Sequence, residues 1–206
     1  MSVGLPTHYQ LRLEHISHEV SRLPRGAQNT IVLLGDAHVE ENPIKQMAGV
    51  HVINMGIQED ALGSDCHGLK DRLWLLPMAR PAHVIIMAGL NDLRDGRNPV
   101  VVENCFKDLI AAVKQHASGA NIHIALIPPT RGKYEKLMHN IAITNCILEE
   151  LAGKLKLEYV DLFSPLEDDD GHLAETFSED GYYLNDTGFD RINEVLERHI
   201  EKGDIY

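Results

Sequence analysis

Four short polar stretches hold the side chains best suited to chemistry: Gly35-Asp36-Ala37-His38, Asn54-Met55-Gly56, Gly89-Leu90-Asn91-Asp92 and Asp180-Gly181-Tyr182-Tyr183. Between them they offer carboxylates, amides, an imidazole and phenols, the groups that move protons and hold polarised oxygens. His38 could activate a water as a general base near Ala37. Neighbouring positions on a turn entering a helix diverge by roughly 100 degrees, however, which points the His38 side chain away from Ala37. Asp36 and Asp92 are placed to brace their turns by accepting from backbone N–H groups. Arg94, Arg97 and Arg131 follow closely enough to meet an anionic ligand. Singly, each stretch is weak evidence, because glycine, asparagine and aspartate suit any strand-to-helix turn for backbone reasons.

The remaining polar candidates point to ordinary surface. His67 follows Cys66, but adjacent residues seldom face one another. His8, His15 and His18 fall in or near one helical stretch and lack a further ligand for a metal. His172 reads as an exposed loop residue. The Asp168-Asp169-Asp170-Gly171 run lacks the alternating oxygen ligands and closing glutamate of a calcium loop, so it reads as a solvated turn. No metal and no cofactor are expected.

The elements that carry these stretches are legible from apolar patterning. Thr30-Ile31-Val32-Leu33-Leu34 is a continuous apolar run ending in Gly35-Asp36, the pattern of a strand buried on both faces. The form returns at Val50 to Asn54, His83 to Met87 and Ile122 to Ile127, with a shorter strand at Leu157 to Asp161. Helical stretches separate them at Gly68 to Leu76, Val100 to His116 and Tyr134 to Leu155, and a last helix runs from Asp186 to His199. Leu11, Leu13, Ile16, Val20 and Leu23 predict a first helix within residues 1–29, stopped by Pro24-Arg25-Gly26 and packed outside the sheet. Strand alternating with helix predicts one domain over residues 1–206: a three-layer α/β/α, flavodoxin-like fold around a parallel sheet of about five strands. Ligands of such sheets bind outside the carboxyl ends of the strands, where the first three polar stretches fall.

In order and spacing, the chain from Ile31 to His199 resembles the SGNH (GDSL-type) serine hydrolases. Those proteins carry Gly-Asp-Ser after the first strand, Asn-x-Gly after the second, Gly-x-Asn-Asp after the third and Asp-x-x-His before the last helix. The run Leu184-Asn185-Asp186-Thr187-Gly188-Phe189 is similar to the family's continuation of that last motif. The resemblance implies the SGNH hydrolase fold and a site for small acyl esters. The oxyanion would be held by the backbone N–H at position 37, the Gly56 N–H and the Asn91 side chain. Asp180 and position 183 would handle the proton.

It also exposes two departures. Ala37 stands at the nucleophile position, and a methyl group has no lone pair with which to attack a carbonyl. Losing a catalytic serine costs about a million-fold in turnover elsewhere, so hydrolysis by the family mechanism is expected to be negligible. The fold loses almost nothing by the change, because alanine fits the space of serine and strands no polar group. Tyr183 stands at the histidine position, and a phenol with a reference pKa of about 10, against about 6.5 for imidazole, is a poor proton shuttle. Asp180 is left to accept from Tyr183 or to cap the following turn. Two replacements together read as inherited loss rather than a single engineered change. The expected protein is an acyl-esterase-like pseudoenzyme. The alternatives are a non-catalytic carbonyl- or carboxylate-binding or scaffold module, and a rewired enzyme using His38, Asp180 and Tyr183.

Composition limits the partners. A formal net charge of -12, from 31 acidic and 19 basic residues, disfavours nucleic acid and anionic membrane surfaces. The expected ligand is a small-molecule ester or carboxylate, and family analogy adds a possible homodimer. Cys66, Cys105 and Cys146 form no CxxC pattern and read as reduced thiols; with no signal-like or spanning apolar segment, a cytoplasmic location is expected.

Overall fold

The apolar run at residues 30–35 forms β1 (Thr30–Gly35), the middle of the sheet in the computed structural model, which describes residues 7–24, 29–62 and 68–203. All of β1 is buried, with Val32 and Leu34 facing one layer and Ile31 and Leu33 the other. A short helix, α2 (Ala37–Glu40), follows immediately. Then come β2 (Gln46–Met47), β3 (Val50–Gly56), β4 (Pro81–Met87), β5 (Asn121–Ala125) and β6 (Glu158–Val160). Their order is β2-β3-β1-β4-β5-β6. The chain builds β3 on one side of β1 and returns to lay β4 on the other, both parallel to β1. That reversal makes a topological switch point at the carboxyl ends of β1 and β4.

One face of the sheet is covered by α1 (His8–Ser21), α5 (Pro99–His116) and α6 (Met138–Leu155), which contribute Ile16, Val20, Phe106, Leu109 and Leu148 to the core. A capping box starts α1: Thr7 Oγ1 accepts from the Gln10 N–H while Gln10 Oε1 accepts from the Thr7 N–H. The other face is covered mainly by α7 (Asp186–Gly203), whose Phe189, Ile192, Leu196 and Ile200 recur at intervals of three and four residues. The result is the three-layer α/β/α arrangement.

The differences from the sequence reading are local. The sheet has six strands rather than five, because β2 is a two-residue antiparallel partner of β3, too short to leave a periodic signal. The predicted helix at Gly68 to Leu76 is a 3-10 helix over Leu69–Leu75 that runs into the four-residue α3 (Leu76–Ala79). The predicted helix from Tyr134 begins as a 3-10 turn over Gly132–Leu137. Apolar spacing alone does not separate the two helix types. The first helix ends at Ser21, and its Leu11 is exposed. Among the described residues no helix is long and apolar enough to cross a membrane.

The 3-10 segment carries the most consequential buried charge. Arg72 is fully buried; its Nε donates to the Met55 carbonyl at 2.8 Å and its Nη2 to the Gly35 carbonyl at 2.8 Å, and its Nη1 pairs with the buried Asp60 carboxylate. One guanidinium therefore ties the last residues of β1 and β3 together and neutralises the loop that follows β3. Removing one partner of such a pair leaves a buried charge uncompensated. Arg72→Leu is expected to lower unfolding stability by about 3–5 kcal/mol, read as a shifted urea midpoint at unchanged slope; a loss under about 1 kcal/mol would refute the central role given to this pair.

Candidate active site

Two glycines let α2 close on the end of the sheet. A Cβ at Gly35 would lie 2.1 Å from the Met87 carbonyl oxygen, and one at Gly56 would lie 2.1 Å from the Glu40 backbone nitrogen. Neither position accepts a side chain without displacing backbone. Asp36 caps α2, its Oδ1 accepting from the His38 N–H at 3.1 Å, and Ala37 follows as the first helical residue, 3% exposed. Ala37, expected at the nucleophile position, thus sits at the switch point with its methyl group buried.

The groups expected to surround it have internal partners. The Gly56 N–H donates to Asn54 Oδ1 at 3.0 Å, and Asn54 Nδ2 donates to the Asn42 carbonyl at 3.1 Å, so this amide joins the end of β3 to the segment after α2. Arg12 reaches from α1 to the same corner, with Nε on the Gly56 carbonyl at 2.9 Å. Asn91, in α4 (Leu90–Arg94), is held at both ends: Nδ2 donates to the Asp60 carbonyl at 2.8 Å, and Oδ1 accepts from the Tyr182 hydroxyl at 2.7 Å. The expectation that Gly56 and Asn91 stand ready as oxyanion donors therefore meets a hydrogen-bond network that already engages both. The family motif predicts which residues meet at this corner but not what the neighbouring Tyr182 does to them.

His38 departs from its predicted orientation. Its ring is buried rather than turned away, with Nε2 2.9 Å from the Tyr182 carbonyl and Nδ1 3.5 Å from Asp36 Oδ1. The cause is the brevity of α2: its cap, Asp36, receives both the His38 backbone N–H and the ring, so the side chain curls back over its own helix start. Burial alone would lower the imidazole pKa, but the Asp36 carboxylate and the Tyr182 carbonyl overcome it and raise the value above normal. Both ring nitrogens face acceptors, which favours the imidazolium with both as donors.

Tyr183, expected at the family's histidine position, lies over His38 with ring centroids 6.1 Å apart, and its hydroxyl faces Glu59 Oε1 at 3.5 Å rather than Asp180. Burial, then the Glu59 carboxylate, pushes its phenol above the ordinary value. Asp180 takes the capping role: Oδ1 accepts from the Tyr182 and Tyr183 N–H groups, each at 2.9 Å. Asp92 lies beneath the site, bonded to the Leu62 N–H at 3.0 Å and to Arg97 at 2.7 Å, and it lines no part of the pocket. Arg94 pairs with Glu59 at 2.9 Å, and Arg131 donates to the Leu173 and Ser178 carbonyls, so the three arginines serve the protein's own acceptors. His172 sits 3.5 Å from Glu135, and His8 pairs with Glu40. Cys66 and His67 lie outside the described residues.

Between these groups is a narrow, mostly aliphatic cavity of about 20 Å³, lined among others by Asp36, His38, Ala88, Leu126 and Leu184. That volume admits about one water rather than an acyl chain. Three participants escaped the sequence reading. Tyr182 was hidden between two motif residues, and Asp60 and Glu59 lie in a loop with no periodic signal; a lone arginine amid Leu69, Leu73 and Leu75 was the available clue to Asp60.

The family model of the GDSL-like lipase/acylhydrolases matches residues 33–191, and the chain belongs to that family. Among solved structures it is similar to a GDSL-like lipase from Bacteroides thetaiotaomicron, at 17% identity and a TM-score of 0.77, covering 93% of this chain and 98% of that one. It is also similar to a carbohydrate acetylesterase from Sinorhizobium meliloti, at 17% identity and a TM-score of 0.67 over 85% of this chain and 99% of that one. An aryl esterase from M. smegmatis gives 16% identity and a TM-score of 0.67, over 84% and 99%. These likenesses support the fold. Among curated proteins, none matches the chain in sequence.

Two outcomes follow from the network. Tyr182→Phe removes the hydroxyl that holds Asn91 and is expected to cost about 1–3 kcal/mol in urea unfolding, because the buried Asn91 oxygen is left without its donor. For His38, the folded pKa exceeds the unfolded one, so its stabilisation is complete below the unfolded value and lost as pH rises through the folded value. As pH rises past the unfolded imidazole value of about 6.5, the wild-type midpoint should therefore lose more than that of Asp36→Asn, which keeps the helix cap but removes the charge. Equal declines in the two proteins would contradict the Asp36–His38 pairing.

Proposed function

We propose that this chain is a GDSL-family protein that keeps the frame of an acyl-ester hydrolase without its serine mechanism: a pseudoenzyme. The observation that carries the reading is the buried methyl of Ala37 at the carboxyl end of β1, with the Tyr183 phenol in place of an imidazole. A phenol whose pKa is raised stays protonated at neutral pH and offers no base. His38 does not replace the missing group, because its two ring nitrogens are taken up by Asp36 and the Tyr182 carbonyl. The rewired-enzyme reading is therefore the weaker one. Binding of a carbonyl or carboxylate without turnover requires the cavity to open and Tyr182 to release Asn91, because both the Gly56 N–H and the Asn91 amide are engaged within the protein. Free thiols at Cys105 and Cys146 support a reducing compartment such as the cytoplasm.

The test is release of p-nitrophenol from short-chain acyl esters. The wild-type protein and Ala37→Ser are expected to match buffer, the latter because a serine without a base remains a weak nucleophile. Turnover is expected only when Ala37→Ser is combined with Tyr183→His. Esterase-level rates in the wild-type protein, or in Ala37→Ser alone, would overturn the reading. A folded but inert double variant would favour binding over a recently lost reaction.

A further inference from the structure

At the end of the sheet opposite Ala37, four ionisable side chains from four elements converge. His83 lies near the start of β4 and His123 in the middle of β5, Glu158 opens β6, and His199 comes from the last turns of α7. His123 and Glu158 are register partners across adjacent parallel strands. His123 Nδ1 lies 3.0 Å from His199 Nε2 and 3.4 Å from Glu158 Oε2, and His199 Nε2 lies 3.3 Å from that same oxygen. The other nitrogen of His123, Nε2, is 3.0 Å from His83 Nδ1.

We infer that His123, His199 and Glu158 form a site for a divalent transition metal of the zinc class, with His83 positioning the His123 ring. Tetrahedral zinc bound at about 2.0–2.1 Å holds its ligand atoms about 3.3–3.4 Å apart, and the three observed edges fall close to that spacing. A hydrogen-bond relay needs only a line of donors and acceptors. A closed triangle of three atoms that can each present a lone pair is what a cation requires. His83 supplies the expected outer contact, accepting at Nδ1 from the nitrogen of His123 that does not face the triangle. Two imidazoles and one carboxylate suit zinc rather than magnesium or calcium, which take oxygen ligands. Glu158 is 57% exposed, so the fourth position opens to solvent and takes a water or an external ligand. The bound ion would pin the end of α7 to the β5–β6 edge of the sheet. The ligands are far apart in sequence and match no spacing motif, which is why the sequence pointed to no metal.

The untagged chain, stripped with a chelator, is titrated with zinc chloride by calorimetry and with cobalt chloride while visible absorption is recorded. One equivalent per chain is expected, with the d–d bands of four- or five-coordinate cobalt. Affinity should fall at least 100-fold in His199→Ala and at least 10-fold in Glu158→Gln, both changes at partly exposed positions where circular dichroism confirms the fold. His83→Phe should weaken binding about 10–100-fold without abolishing it. His15→Ala with His18→Ala, on α1, should leave the affinity unchanged. Failure of the wild-type protein to take up one equivalent overturns the proposal. So does unchanged affinity in the combined Glu158→Gln and His199→Ala variant, which would assign the zinc to surface histidines.

Discussion

The architecture turns on one buried guanidinium. At the carboxyl ends of the central strands the Gly35 carbonyl accepts from the Ile57 N–H at 3.2 Å and still has a lone pair for a further donor. Arg72 supplies donors to the Gly35 and Met55 carbonyls from outside the sheet, and Asp60 balances the charge. Asp60 then passes its own carbonyl to Asn91, which holds Tyr182. The order of the pocket corner thus descends from an ion pair that lies behind it. A buried pair of this kind is weak evidence for high stability, since desolvation of both charges offsets much of their attraction. What it supplies here is position: β1, β3, the loop after β3 and α4 cannot drift independently while those bonds persist.

Against that background the departures from an esterase look selective. The backbone constraints that shape the corner are intact, including the close approach of Gly56 to α2 and the cap at Asp36. Asp180 still organises its turn, through the backbone rather than through an imidazole. The rings of Tyr182, Tyr183 and His38 pack against one another at the same corner. The shape of this corner rests on backbone geometry, whereas any chemistry in it would rest on side-chain atoms.

Much of this was legible in the sequence, for identifiable reasons. The buried strands announced themselves because parallel strands covered on both faces need uninterrupted apolar runs, and α5, α6 and α7 because helix faces recur every three or four residues. The motif turns were readable because each needs a particular residue for a backbone reason. The two-residue β2 and the 3-10 segments were not, since two residues show no period and 3-10 segments of six and seven residues are too short to separate 3.0 residues per turn from 3.6. His38 departs from the side-chain divergence of regular helices because α2 has only four residues. Tyr182, Asp60 and the His123 cluster were invisible because their contacts join residues distant in the chain, where local pattern carries no information.

The division of labour between the two outer layers bears on how the chain is made. Several helices share one face of the sheet, whereas α7, which follows every strand in chain order, supplies most of the cover for Ile31, Leu33, Val52 and Ile85. During synthesis the amino-terminal parts emerge first. The apolar surface that α7 covers is therefore the last part of the core to be closed in chain order.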